Sequence, residues 1–188
     1  MKAHVKNSEL VLLYGLKENR AKEQTVQKVL QRLNMPCRIL SEEMLGETLG
    51  FAAGIPGFKE SSSPYVGDGF DEEVLIMSGL TDQRLNQLLT ALRNEEASIR
   101  LKAVITPHNR GWKLCDLFGE LVEEHETVGA FNRLRQAYAL AKERDLSGLT
   151  QTEQSDWKQK LEKAYQILSS REPTKKEIYQ QMAEALQF

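Results

Sequence analysis

The chain has 188 residues, of which 40% are hydrophobic and 28% charged, as in an ordinary folded domain. Its net charge of -2 provides no basic field for nucleic acid or for an anionic membrane surface. No apolar run approaches the roughly 18 residues of a membrane span, and residues 1–7 lack the apolar core of a signal peptide. We therefore expect a cytoplasmic protein that contacts neither nucleic acid nor membrane.

The first third of the chain is predicted to form two strand–helix units. An apolar strand over 10–14 ends at Gly15, and the helix that follows repeats apolar residues at helical spacing (Val26, Val29, Leu30, Leu33). A second strand is predicted over 37–40. Ser41 is suited to cap the next helix, and the two glutamates after it suit the positive end of that helix.

The periodic pattern stops at residue 54 and resumes only after residue 71. Glycine, proline and serine dominate this segment, and a connection of such length is either functional or mobile. Its three aromatic residues, Phe58, Tyr65 and Phe70, either fix the segment to the domain or contact a partner. We predict partner contact, or self-association, through residues 55–71.

A second pair of strand–helix units follows the long connection. A strand over 74–77 ends near Gly79, and the next helix carries leucines at the same spacing as before (Leu85, Leu88, Leu89, Leu92). A fourth strand is predicted over 101–105. The turn 106–111 then leads into a further helix with one apolar face.

These elements predict an α/β domain over residues 1–127. Short connections and right-handed crossovers favour a four-stranded, mainly parallel sheet in the order 2-1-3-4, with helices on both faces. A strand–Gly–Leu phrase occurs twice, at residues 10–16 and 74–80. Either the two halves arose by duplication, or two ordinary α/β units resemble each other.

Residues 128–188 show no strand pattern and are predicted to form a three-helix extension. Capping boxes at Thr150 with Glu153, and at Thr174 with Glu177, mark the starts of two of its helices. Three short amphipathic helices bury little apolar surface alone. We expect them to dock on the first domain, on a partner, or on both.

Three segments carry a resemblance to a known family. Residues 49–58 (LGFAAGIPGF), 74–80 (VLIMSGL) and 103–112 (AVITPHNRGW) resemble the bacterial family named domain of unknown function 3783, over roughly residues 8–126. The resemblance implies a bacterial soluble α/β domain and supplies no activity. Residues 134–186 are weakly similar to three-helix modules described as found in various architectures, which act as spacers or binding appendages.

Six residues at predicted strand ends form the candidate ligand site (Gly15, Ser78, Gly79, His108, Asn109, Arg110). If the central strands are parallel, their carboxyl ends meet at the switch point where open α/β sheets place ligands. Backbone N–H groups at the two glycines can approach an anion. Arg110 can bind a carboxylate or phosphate, and His108 can move a proton. Each has a plainer interpretation as a turn, capping or surface residue.

No catalytic motif is present. Cys37 and Cys115 lack a CxxC partner and a metal-ligand spacing, so we expect buried, reduced thiols. The three histidines show neither HxxxH nor HExxH spacing, and the chain has no GxSxG motif. We therefore predict no catalytic residue, no metal and no cofactor.

Two functions are compatible with these patterns. The first is a non-enzymatic binding or interaction module that uses the loop 55–71 and the helical extension, and we lean towards it because catalytic signatures are lacking. The second is an enzyme or sensor for a small anionic ligand in the strand-end crevice.

Overall fold

The computed structural model describes residues 9–62, 64–172 and 174–187. It divides into two compact units, residues 1–122 and 123–188. The division lies inside one long helix, Leu114–Lys142, and the sequence-based boundary after residue 127 lies in the same helix. No helix in the described ranges is long and apolar enough to cross a membrane.

The first unit alternates strands with helices. The elements are β1 (Leu10–Tyr14), α1 (Arg20–Arg32), β2 (Cys37–Ile39), α2 (Leu49–Ala52), β3 (Val74–Ser78), α3 (Asp82–Asn94), β4 (Leu101–Val104) and the first part of α4 (Leu114–Lys142). Short 3-10 helices, Leu16–Glu18 and Glu42–Gly46, follow β1 and β2. The side chains of Asn19 and Thr81 accept backbone N–H groups and so cap α1 and α3.

The four strands form one sheet in the order β2-β1-β3-β4, which confirms the predicted order and fold class. The pairs β1–β2 and β3–β4 are parallel. The central pair is antiparallel, with Leu12 opposite Ile76 and Tyr14 opposite Val74. The parallel arrangement of the two central strands, on which the candidate crevice depends, is therefore wrong.

The long connection between α2 and β3 explains this reversal. It brings the chain back to the end of β1, where the backbone of Glu72 passes close to Gly15, so that β3 starts beside the place where β1 stops. Crossover rules fix the direction of strands joined by a short helical unit. They place no such constraint on strands joined by a long irregular loop.

The sheet separates two apolar layers. On one face α1 and α3 pack against alternate residues of the central strands, including Val11, Leu13, Leu75 and Met77. On the other face the segment after β2, α2 and the start of α4 pack against the intervening residues, with Phe118 completely buried. Because both faces are covered, β1 and β3 are continuous apolar runs.

The edge strand β2 differs, since all three of its residues are exposed. Cys37 is a free, exposed thiol and Cys115 is free and half-buried. The prediction of a buried thiol is therefore wrong for Cys37, because it lies on a short strand at the rim of the sheet.

The second unit is helical, formed by α4 from residue 123 onward, α5 (Gln151–Ser169) and α6 (Lys176–Ala185). Its core contains Leu134, Trp157 and Tyr179. The capping box at Thr150 is present in full. The second predicted box is wrong: Lys175 precedes the first turn of α6, and its side chain forms no capping hydrogen bond with the described residues.

Candidate functional site

The six residues of the predicted crevice do not share one edge of the sheet. Because β1 and β3 run in opposite directions, Gly15 lies at one end of the sheet and Ser78 and Gly79 lie at the other. The loop that carries His108 to Arg110 follows β4, which is parallel to β3, and so belongs to the second end. A single crevice that joins all six is therefore excluded.

Gly15 is required by packing. Its φ of 79° lies in the left-handed region, and a Cβ atom there would stand 2.4 Å from the carbonyl oxygen of Glu72. Gly79 also has a positive φ, of 67°, in an exposed turn after the buried Ser78. Both glycines thus serve the tight turns after their strands, as in the plainer interpretation.

Asn109 organises the loop that follows β4. Its side-chain oxygen accepts the backbone N–H of Thr106 at 2.8 Å, and its amide nitrogen donates to the carbonyl of Val104 at 3.0 Å. The helix α4 begins only at Leu114. Asn109 therefore closes a turn and does not cap the helix.

His108 and Arg110 contact aromatic rings. The imidazole of His108 lies edge-on to the ring of Trp112, with 5.6 Å between centroids. The guanidinium of Arg110 lies 5.9 Å from the centre of the Phe58 ring. Both side chains are exposed, so these contacts place them at the surface of the loop.

The loop backbone also bonds to the start of α2. The N–H groups of Gly50 and Leu49 donate to the carbonyls of Arg110 at 2.7 Å and Trp112 at 2.9 Å. These two N–H groups of α2 are therefore paired within the protein. Anion binding by His108 and Arg110 stays a prediction.

The aromatic residues of the long loop pack on their own unit. A Cβ added to Gly50 would meet the ring of Phe58 at 2.5 Å, and Tyr65 packs against Gly46. Phe70 lies 4.9 Å from Phe118, centroid to centroid. All three aromatics are half-buried, so they fix the loop to the domain, and their contact with a partner stays a prediction.

Glu47 fixes the same loop at its middle. Its side chain is 9% exposed, and both carboxylate oxygens accept the backbone N–H of Ser61, at 3.1 and 2.8 Å. A carboxylate is buried only where such bonds replace its hydration. No sequence pattern indicates this contact, since Glu47 lies in an otherwise ordinary helical pattern.

A cavity of about 560 Å³ opens where β1 and β2 end, and we call it the β1–β2 cleft. Apolar lining comes from Leu13, Leu16, Ile39, Leu40 and Phe70. Polar and charged lining comes from Tyr14, Lys17, Glu18, Glu23, Ser41, Glu42, Glu43 and Asp71. Phe70 and Asp71 belong to the long loop, so that loop forms one wall of the cleft.

Tyr14 is the unusual residue of the cleft. It is 3% exposed, and its hydroxyl has no hydrogen-bond partner among the described residues. Burial raises the pKa of the phenol, and the nearby carboxylates of Glu42 and Asp71 raise it further. The backbone of Phe70 offsets part of this rise in pKa, although its geometry falls short of a hydrogen bond.

The charges around the β1–β2 cleft are mostly negative. Among the described residues, five carboxylates line it against one ammonium, that of Lys17, whose Nζ donates to Glu42 Oε1 at 2.8 Å. This contact raises the pKa of Lys17. The neighbouring Ser41 side chain and the backbone of Glu43 lower the pKa of the Glu43 carboxyl. Among the described residues, no three His, Cys, Asp or Glu side chains converge as a metal site.

Sequence reasoning identifies parts of this site but gives them other roles. It assigns Gly15 to an anion crevice, Phe70 to partner contact and Glu42 to a helix start. It misses Ile39 as a site residue, although Ile39 lies on a strand next to β1. The signal that could have found the cleft is the parallel β1–β2 pair, whose carboxyl ends meet at a single edge.

Comparison with known proteins identifies one family. Residues 73–128 match the sequence model of a family described as "Domain of unknown function (DUF3783)". The match supports the family resemblance from β3 to the middle of α4. The resemblance over residues 8–72, and that of residues 134–186 to the three-helix modules, stay predictions. No match was found among curated proteins or solved structures. Every residue that lines the β1–β2 cleft precedes the matched segment.

Proposed function

We propose that the first unit is a binding domain that holds a small molecule in the β1–β2 cleft, in a cytoplasmic bacterial protein. One observation carries the proposal: the Tyr14 hydroxyl is buried, lacks a partner among the described residues and belongs to a residue that lines the cavity. A buried polar group without a partner typically costs about 1–3 kcal/mol. A ligand that supplies the missing partner recovers that free energy.

The position and size of the cleft support the same function. Ligands of open α/β sheets bind outside the carboxyl ends of the strands, and β1 and β2 both end at this cavity. Its volume of about 560 Å³ lies in the range of small-molecule sites. Apolar walls with a few polar groups are also typical of such sites.

We propose binding rather than a reaction. The described residues that line the cleft include neither histidine nor cysteine. A phenol with a raised pKa stays protonated at neutral pH, and so serves as a hydrogen-bond donor and acceptor rather than as a base. An anionic ligand loses support at Gly15, because five carboxylates of the described residues line the cavity beside it.

A fragment screen tests the proposal. Amide chemical shifts of the full chain are recorded with mixtures of cationic, neutral and anionic fragments. We expect saturable shifts at the cleft residues that are lost in Ile39→Trp, in which the larger side chain fills the cavity. Val104→Trp is the matched control, since Val104 is also an exposed β-branched residue on an edge strand, outside the cleft. No saturable shift at the cleft with any fragment rejects the proposal.

Self-association through the helical unit is a second candidate. Leu140 is 74% exposed and lines a groove together with Arg133, Arg144 and Trp157. Sedimentation velocity over a range of protein concentrations tests it. Leu140→Glu is expected to abolish association while Ala139→Glu, the same charge change at the neighbouring exposed residue, leaves it intact. A monomeric parent chain at every concentration contradicts self-association.

A further inference from the structure

We infer that the ligand of the β1–β2 cleft is an organic cation, an ammonium or guanidinium on an apolar body, whose charged group takes the place of Lys17 Nζ at Glu42. The inference rests on the proposed function and adds the chemical class of the ligand. Three features of the cleft motivate it. Acidic groups line the cleft, and the ion pair between Lys17 and Glu42 is exposed enough to be exchanged. The hydroxyl of the lining residue Tyr14 is buried and unpaired among the described residues.

The charge of the cavity selects against anions. Glu18, Glu23, Glu42, Glu43 and Asp71 line it with only Lys17 opposing them among the described residues. A carboxylate or phosphate entering the cleft would meet this negative field, whereas a cation would be attracted. The carboxylates do not converge as a ligand set for a metal ion within the described part of the chain, so a diffuse organic charge fits them better.

The Lys17–Glu42 pair shows that an ammonium fits at this edge of the cleft. Lys17 follows β1 and Glu42 follows β2, so their contact joins the two segments between which the cavity opens. The side chains are 70% and 51% exposed. Ion pairs this exposed contribute little to stability, so a ligand cation can replace the lysine at low cost.

The apolar body of the ligand has a surface to cover. Ile39 is 55% exposed on β2, and the ring of Phe70 lines the same cavity. Covering such side chains is favourable because it removes apolar area from water. Tyr14 also lines the cavity, and its buried hydroxyl, which has no hydrogen-bond partner among the described residues, has lone pairs for an N–H donor.

Three probes of nearly equal size test the charge requirement. 2-Phenylethylamine is a cation at neutral pH, 2-phenylethanol is neutral and phenylacetate is an anion. Each is titrated into the full chain at pH 7 and low salt, and amide shifts give the location and the dissociation constant. We expect the amine to bind at the cleft at least about tenfold more tightly than the alcohol, since charge-assisted hydrogen bonds are the stronger ones.

Two cleft variants test the exchange at Glu42. Glu42→Gln is expected to weaken amine binding by about tenfold. Lys17→Met removes the competing ammonium and is expected to tighten it by roughly threefold. Arg32 and Glu95 form a similarly exposed ion pair outside the cleft, so Arg32→Met and Glu95→Gln are matched controls that leave amine binding unchanged.

The outcomes separate this inference from the proposed function. Amine-selective shifts at the cleft with opposite effects of the Lys17 and Glu42 variants support the cation. The inference fails if the alcohol or phenylacetate binds as tightly as the amine, if Glu42→Gln has no effect, or if calcium chloride binds there more tightly than the amine. It also fails if the amine does not bind. In each of these cases the proposed function is decided separately, by the fragment screen.

Discussion

The same strand–Gly–Leu phrase occurs at both ends of the sheet, once after β1 and once after β3. Different segments of the chain cover the two turns, and they do so in different ways. At the end of β3, the loop after β4 forms backbone bonds to the start of α2, and Asn109 completes the turn. At the end of β1, the long loop crosses Gly15 but leaves a cavity and a hydroxyl unpaired among the described residues. A repeated strand–glycine phrase therefore indicates a turn, while the segments that cover the turn decide whether a site exists.

Gly15→Ala is expected to produce the largest effect at the β1 end. The new Cβ would stand 2.4 Å from the Glu72 carbonyl oxygen in a left-handed residue, so we expect a loss of about 3 kcal/mol in unfolding free energy. Gly79→Ala also puts a side chain on a residue with positive φ, and for this backbone conformation we expect a loss of about 1–2 kcal/mol. Urea unfolding compares the two variants, and equal losses would contradict the proposed difference between the ends.

Glu47→Gln tests the attachment of the long loop. The substitution removes the negative charge of the side chain that accepts the Ser61 N–H. We therefore expect a loss of about 2 kcal/mol in unfolding free energy. Hydrogen exchange at Ser61 should also become faster. Glu60→Gln changes an exposed neighbour and serves as the control. Unchanged exchange at Ser61 would show that the carboxylate does not hold the loop.

Asn109→Ala tests the closed end of the sheet. The variant leaves the N–H of Thr106 and the carbonyl of Val104 without their partner, so we expect a loss of about 1 kcal/mol. Exposure of both groups to water limits the effect. Thermal unfolding measures it, and His108→Ala, an exposed neighbour, is the control with little change.

Tyr14→Phe tests the open end and has the opposite expected sign. The hydroxyl forms no hydrogen bond within the described part of the chain, so its removal should leave stability unchanged or raise it by up to about 1 kcal/mol. The same variant should weaken the binding of any ligand that forms a hydrogen bond to the hydroxyl. Urea unfolding without ligand measures the first effect. A clear loss of stability would mean that the hydroxyl has a partner.

Alkaline pH gives the smallest expected effect. The pKa of Tyr14 is raised in the folded state, chiefly by burial, so the protonated phenol is favoured by folding. The stabilisation of the folded state by this protonated phenol is fully present below the ordinary tyrosine pKa of about 10. It declines as pH rises through the folded-state value. The stability of the parent chain should therefore fall more than that of Tyr14→Phe as pH rises from about 9 to about 11, and parallel curves would contradict the raised pKa.

The order of the strands was predictable from the sequence, and the direction of β3 was not. Short helical connections fix β2 beside β1 and β4 beside β3. The long loop before β3 carries glycines and prolines but no feature that sets the sense in which the chain returns. The error in direction then displaced the candidate site, because it put Gly15 and Gly79 at the same edge.

The cleft itself depends on contacts that no local pattern shows. Lys17 and Glu42 are 25 positions apart, and each has the sequence context of a solvated residue. The environment of the Tyr14 hydroxyl results from how Phe70 and Phe118 pack around the ring. Periodicity identifies the buried faces of such elements, whereas the pairing of polar groups is decided by the tertiary structure.

The antiparallel junction gives the first unit an approximate twofold axis. Leu12 and Ile76 are the third residues of the two repeated phrases, and they face each other at the centre of the junction. The helices α1 and α3 lie on the same face, as such an axis requires. Each βαβ half thus pairs its central strand with that of the other half, in the manner of an isologous interface within one chain. Without the other half, the central strand of either half would become an exposed edge strand.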